Sequence, residues 1–209
     1  MSDKGGQYAR QASEWTERAY ADVSSYLAHR AELIVSLGTP LAPGDEVLDL
    51  ACGDGGLGDA LLARGVRYRG ADATPEMVEA ARARLGSRVP VELGDLNDYV
   101  PPSPVSATTV FRAIYYARDR RVFFEHVRAY TEKKLVFDLN PRQYGVDEVV
   151  ADLRTAGFAD VVLRPFFVPQ TVALPGPLLA AAKALERSGP LARAALRLRF
   201  TYVVAALLE

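Results

Sequence analysis

The stretch Val47-Leu-Asp-Leu-Ala-Cys-Gly-Asp-Gly-Gly-Leu-Gly58 decides how this chain is read. Residues 46–50 form a short apolar run that reads as a strand ending in Asp49-Leu50. A turn rich in glycine follows, and residues 59–64 read as a helix closed by Gly65. Glycines placed directly after a first strand let a ligand approach the backbone closely. They also set that ligand at the N-terminus of the next helix. Gly53-x-Gly55-x-x-Gly58 matches the dinucleotide fingerprint to the letter, but that pattern alone has low specificity.

Outward from this turn the alternation repeats. Residues 67–72 read as a strand, and Thr74 is placed to N-cap a helix whose first residue is Pro75. That helix runs over 76–85 to Gly86. Further strands are expected at 89–93, 107–111, 134–138 and 161–168, with helices at 120–130 and 146–155 between the later ones. Repeated strand–helix units imply an α/β fold: a doubly wound, mostly parallel sheet with right-handed crossovers and helices on both faces. At the N-terminus, apolar and aromatic residues from Tyr8 to Leu37 recur at spacings near three and four, which predicts a helix over 7–37 stopped by Gly38. The tail breaks the pattern. After a proline-rich connector come two short apolar helices, at 178–187 and 191–198. A strand-like run at 200–207 then has no helix after it, so it is expected to join the sheet late, with an antiparallel direction open to it.

Three acids stand at the ends of successive strands: Asp49, Asp72 in Gly70-Ala-Asp-Ala-Thr-Pro-Glu-Met77, and Asp95 in Leu93-Gly-Asp-Leu-Asn-Asp98. In a doubly wound sheet the carboxyl ends of the strands share one rim, so these carboxylates would line one crevice. An adenosine with a cationic side arm suits that lining. Asp72 can accept both ribose hydroxyls, Asp95 the adenine amine, and Asp49 can hold the glycine loop or answer an ammonium group. The acids supply no positive group for a pyrophosphate.

On these residues the sequence resembles the class I S-adenosylmethionine-dependent methyltransferases of the small-molecule type. Asp49, Gly53 and Gly55 align with the family's D-x-G-x-G-x-G loop, Asp72 with its ribose-binding acid, and Asp95 with Leu96 with its adenine-contacting pair. Thr74-Pro-Glu-Met77 matches the start of the following helix. Ala51 departs from the pattern, since the family usually has its first glycine there; a slightly shifted loop is expected.

The resemblance implies a seven-stranded Rossmann-like sheet in the order 3-2-1-4-5-7-6, S-adenosylmethionine as cofactor and S-adenosylhomocysteine as product. It implies cofactor contacts from Asp49, Ala51, Gly53, Gly55, Asp72, Ala73, Met77, Asp95, Leu96 and Arg112. Tyr115, Tyr116 and His126 become candidates for the acceptor side, with Asn140 and Arg142 near it, although His126 also reads as a packing residue. Tyr20, Tyr26 or Arg30 could reach the methionine carboxylate, while Arg30 also reads as part of a solvated helix face. One methyltransferase domain over 1–209 is expected: a helical lid at 1–43, a cofactor-binding core at 44–140, and a C-terminal half carrying a helical insertion at 170–198. That insertion reads as a cap over a hydrophobic acceptor, as a plain sheet-covering layer, or as a surface for transient lipid contact.

Composition narrows the classes. The 209 residues are 49% hydrophobic and 24% charged, an ordinary globular mixture. The net charge of -1 provides no global field for nucleic acid or an anionic membrane. Arginine outnumbers lysine 21 to 4, which suggests a GC-rich, bacterial source rather than nucleic-acid binding. Cys52 is the only cysteine and His29 and His126 the only histidines, so no disulfide, zinc cluster or other metal site is expected. A cytoplasmic protein without stable membrane insertion fits, its partner a small methyl acceptor, O-methylated. The rival readings are a nicotinamide-dependent oxidoreductase and a cofactor-binding protein of the same fold without turnover.

Overall fold

Why the chain folds as it does is clearest at the sheet. The computed structural model describes residues 21–196 and 201–208. It holds one seven-stranded sheet in the order β3-β2-β1-β4-β5-β7-β6. The strands are β1 (Glu46–Leu50), β2 (Arg67–Asp72), β3 (Val91–Leu93), β4 (Val105–Val110), β5 (Thr131–Leu139), β6 (Asp160–Phe166) and β7 (Thr201–Leu207). β1 to β5 pair in parallel, while β7 lies antiparallel between β5 and β6. The central strands β1 and β4 are buried along their whole length, as a sheet covered on both faces requires.

Alternation along the strands sorts side chains to two cores. Val47, Tyr68, Ala107, Val136 and Ala205 face one layer, made of α1 (Val23–Ser36), α2 (Gly56–Leu62) and α3 (Pro75–Leu85). Leu48, Leu50, Leu135, Phe137 and Val204 face the other, made of α4 (Arg120–Arg128) and α5 (Val146–Thr155). Each large apolar side chain taken out of water there contributes about 1.5–3 kcal/mol. The tail helices α6 (Gly176–Glu186) and α7 (Pro190–Ala195) sit on a small separate cluster of Phe167, Ala192 and Leu196.

Several boundaries differ from the sequence reading. In the described part of the predicted 7–37 helix, α1 starts at Val23. Asp22 caps it, its carboxylate accepting the Ser25 N–H at 3.1 Å; the remainder of that prediction up to residue 20 lies outside the described residues. α2 begins three residues earlier than expected, because the glycine turn itself supplies its first turn. Thr74 occupies the N-cap position of α3, yet its side chain makes no capping bond. Its own N–H is given instead to Asp72 Oδ1 at 2.9 Å. β5 is four residues longer than expected, since its ends pair with both β4 and β7.

α1 is anchored by β5 at its C-terminus and by α6 along its side. Lys134 on β5 is fully buried and donates its ammonium to the carbonyls of Leu37 (2.8 Å) and Val35 (3.3 Å). A cation is favourable at the C-terminus of a helix, although burial and then the neighbouring Lys133 lower its pKa to about 8. On α1's other face, buried His29 meets Glu186 of α6, with Nε2 2.6 Å from Oε2. Glu186 Oε1 accepts the Phe167 N–H at 2.8 Å, and the His29 ring stacks on Phe166. Glu186→Ala would strand two buried partners at once. It is expected to destabilise the fold by about 2–4 kcal/mol in denaturant unfolding. A loss below ~0.5 kcal/mol would show that this pair carries no structural load.

Candidate functional site

Parallel strands end together, so the exits of β1, β2, β3 and β4 surround one cavity of about 480 Å³. That size suits a small-molecule ligand. The wall is partly glycine: Gly53, Gly56 and Gly94 present bare backbone to it. Ala51 and Gly53 both take positive φ, 57° and 58°. For Ala51 this left-handed backbone costs about 1 kcal/mol, which a glycine would not incur.

The three acids play unequal parts. Asp49 is buried and grips neighbouring strands: Thr109 on β4 donates to it at 2.7 Å and Tyr68 on β2 at 2.9 Å. It lines the cavity but does not hold the glycine loop, contrary to one sequence expectation. That work falls to Asp72. Its Oδ2 accepts the Gly53 N–H and its Oδ1 the Thr74 N–H, both at 2.9 Å, so one carboxylate ties together the turns after β1 and β2. Asp95 lies two residues beyond β3 on an exposed part of the wall. The Asn97 backbone N–H (2.8 Å) leads in holding its pKa below the ordinary carboxylate value, helped by the Asn97 amide (2.7 Å) and by Arg118.

Ala73, Met77, Leu96 and Arg112 line the cavity with them. Gly55 does not. It is the left-handed N-cap of α2, and a Cβ there would stand 2.9 Å from Leu85 Cδ1 and 3.2 Å from the Ala81 Cβ. Its glycine character serves the packing of α2 on α3.

The cavity's other end is framed by α1 and the β4 exit. Arg30 is buried and lines the cavity, which removes it from the solvated helix face. Its guanidinium lies 4.2 Å from the Phe111 ring centroid and donates to the Tyr26 hydroxyl at 2.7 Å. Burial of Tyr26 and Arg30 follows from the α1 face that packs on Phe166. Tyr115 and Tyr116 sit half exposed at the cavity, their rings 4.4 Å apart. Arg112 adopts φ 56°, rare for a long side chain, and its N–H is held by Asp138 Oδ1 at 2.7 Å.

Other candidates lie elsewhere. His126 is on α4, outside the cavity lining, with Nε2 2.9 Å from the Tyr99 carbonyl and its ring edge-on to Tyr130. The core-facing positions of α4 are Phe123, Phe124 and Val127, which leaves His126 on the flank. Asn140 and Arg142 do not line the cavity either; the Asn140 side chain accepts the Arg142 N–H in a local turn. Tyr20 lies outside the described residues.

The sequence reading missed Asp54, which is buried and lines the cavity. Arg84 of α3 donates to its carboxylate at 3.0 Å and to its carbonyl at 3.1 Å, a second brace on the glycine loop. The Asp54–Arg84 spacing of 30 residues carries no local signal. Cys52 lines the cavity as a protonated thiol, since burial and then the charges of Asp49 and Asp72 push its pKa well up. That protonation suits a packing role.

Burial, reinforced by the Asp72 charge, raises the Asp49 pKa from 3.8 to about 6 against the opposing pull of Thr109, Tyr68 and Arg30. A carboxylate with a raised folded pKa is most destabilising when ionised in the native state, above that pKa. The penalty fades as pH falls through about 6 and is gone below the unfolded value. Asp49→Asn should therefore gain stability relative to the parent, by about 2–3 kcal/mol between roughly pH 4 and pH 8, whatever its offset at low pH. A pH-independent difference in urea melts would mean Asp49 is not desolvated. Gly55→Ala should lower stability by about 2–3 kcal/mol through its φ and its clash, while binding by the remaining folded protein stays unchanged.

Comparison with known proteins places this geometry. Residues 47–134 match the model of a methyltransferase domain. An uncharacterized methyltransferase of Schizosaccharomyces pombe is 39% identical over 88 residues, which are 42% of this chain. The match spans only 30% of that relative. Among solved structures, a chain from the Haloferax volcanii Trm112 methyltransferase-activator complex superposes with a TM-score of 0.70 at 20% identity, covering 99% of this chain and 96% of that one. Haemonchus contortus phosphoethanolamine N-methyltransferase 2 gives 0.66 at 14% identity over 99% and 57% of the two chains. Magnesium protoporphyrin IX methyltransferase of Synechocystis gives 0.57 at 14% over 100% and 86%. Residues 47–134 thus carry a methyltransferase domain, within a fold that the chain shares with these solved methyltransferase structures.

Proposed function

We propose that this chain transfers a methyl group from S-adenosylmethionine to a small, largely apolar acceptor at oxygen, releasing S-adenosylhomocysteine. The carrying observation is the cavity at the strand exits, where bare glycine backbone and the carboxylates of Asp49, Asp72 and Asp95 converge. Carboxylates suit a ligand bearing ammonium and sulfonium charge, and the glycine wall gives a nucleoside room against the backbone.

Each residue then has a part. Asp72 offers its remaining lone pairs to the ribose hydroxyls while its bonds to Gly53 and Thr74 keep the loop in shape. Asp95 and Leu96 border the adenine, Ala73 and Met77 pack against it, and Ala51 and Gly53 flank the amino-acid arm. Arg30 is placed to meet the methionine carboxylate, because it is the buried cation of this wall, and Asp49 answers the ammonium group. When bound, S-adenosylmethionine supplies an already activated methyl that a nucleophile takes by in-line displacement.

The protein's contribution is alignment and exclusion of water, worth up to about 7–11 kcal/mol in well-oriented reactions. Leu27, Phe111, Tyr115 and Tyr116 form the acceptor wall, with Arg112 beside them. Neither histidine lines the cavity, so a phenol or carboxylic acid, whose proton leaves without a strong base, fits best. α1 acts as the lid of this site. No described helix is long and apolar enough to cross a membrane. We place the protein in the cytoplasm, acting on a small molecule and not on nucleic acid.

Titration calorimetry with S-adenosylhomocysteine and, in parallel, NADH tests the reading. Homocysteine-analogue binding without NADH binding is expected, and the reverse would assign an oxidoreductase. Asp72→Ala should weaken S-adenosylhomocysteine at least ~10-fold, the loss of charge-assisted hydrogen bonds, while keeping a cooperative melt. Unchanged affinity would mean that Asp72 does not meet the ribose. Cofactor binding with no labelled-methyl transfer to any metabolite fraction would leave a binding protein without turnover.

A further inference from the structure

The tail helix α6 buries its one acid and leaves part of its apolar surface outside. Its sequence, Gly-Pro-Leu-Leu-Ala-Ala-Ala-Lys-Ala-Leu-Glu, is almost wholly apolar, yet its only buried residue is Glu186. That carboxylate is turned inward onto His29 and the Phe167 N–H. Leu179 and Leu185 pack inward, but Leu178 is 57% exposed, and Val172 before the helix and Leu191 after it are 57% and 67% exposed. Scattered apolar residues on a surface are ordinary. A short tail segment that buries its one acid and leaves Val172, Leu178 and Leu191 each more than half exposed is less so. None of these residues lines the cavity, so an acceptor cap does not explain them.

Charge points to the occupant. Between residues 167 and 196 the charged side chains that reach the surface are Lys183, Arg187 and Arg193, all basic. Glu32 on α1 lies 3.7 Å from Lys183 and 3.4 Å from Arg187, and still leaves the face net positive. Exposed leucine and valine rimmed by arginine and lysine is the chemistry of a helix that lies in the boundary layer of an anionic bilayer. A second copy of the chain would set like charges against each other on such a face.

We propose that the 172–193 face docks this protein peripherally on anionic lipid. The buried His29–Glu186 contact makes the geometry useful. It fixes α6 to α1 one residue from Arg30, so the docked face and the cavity wall belong to one rigid unit. An apolar acceptor dissolved in the bilayer would then meet the cavity without crossing bulk water.

Vesicle flotation of the full chain tests this without reference to methyl transfer. Binding to phosphatidylcholine vesicles containing phosphatidylglycerol is expected. It should fall at least ~10-fold on phosphatidylcholine alone and weaken as salt is raised. Leu178→Glu with Leu191→Glu, at positions more than half exposed, should abolish flotation while thermal melting and S-adenosylhomocysteine affinity stay as in the parent. Arg193→Glu should reduce it several-fold. Absence of flotation, or flotation untouched by the double variant, overturns the proposal. Flotation gained only after proteolytic removal of residues 1–20 also overturns it and assigns the face to that segment. A dimer in light scattering that the double variant dissolves overturns it in favour of a second copy.

Discussion

The Asp72 carboxylate is the interaction on which the site depends. It accepts one backbone N–H from the glycine loop after β1 and one from the turn after β2. Two loops that are 19 residues apart are thereby held at a fixed spacing, and the space between them is the cavity. A carboxylate is suited to this work, because it has enough lone pairs to hold two backbone donors and still accept from a ligand. Loop shape and ligand contact are therefore joined in a single side chain.

A second layer of support comes from groups that never touch the cavity or only border it. Asp49 joins β1 to β2 and β4 through Tyr68 and Thr109, so the strand ends keep a common level. Arg84 braces Asp54 from α3. Lys134 and the His29–Glu186 pair hold α1 from opposite sides. These are buried polar contacts, and each is paired, which lets them rigidify the site, in the case of Asp49 at a cost in stability. The helix that carries Arg30 is thus set by contacts spanning 97 to 157 positions of the chain, a dependence that local pattern does not carry.

Much of the fold was legible because its signals are local. Strand–helix alternation, the glycine turn and the stops at Gly65 and Gly86 depend on neighbouring residues, and element identity followed from them. Boundaries were less legible. β5 is extended by pairing with two neighbours, and α1 starts at Val23 in the described chain because the Asp22 side chain caps it. Within the site, residues from the motif strands reached the cavity as expected, since the carboxyl ends of parallel strands must converge. Gly55, His126, Asn140 and Arg142 did not, because reaching the cavity depends on which way an element packs. Asp54 and the burial of Arg30 escaped notice for the same reason.

By itself the sequence determined the class of the sheet, the place of the crevice and the acids at its rim. Those follow from periodicity of two and 3.6 residues and from where glycine is required. Only the tertiary structure decided the division of labour among the acids. Asp49 became a strand clamp with a pKa near 6 and Asp72 the loop holder, because desolvation and hydrogen-bond direction depend on contacts made across strands. The tertiary structure likewise turned Glu186 inward, onto a buried histidine 157 residues away, and left Leu178 of the same helix exposed.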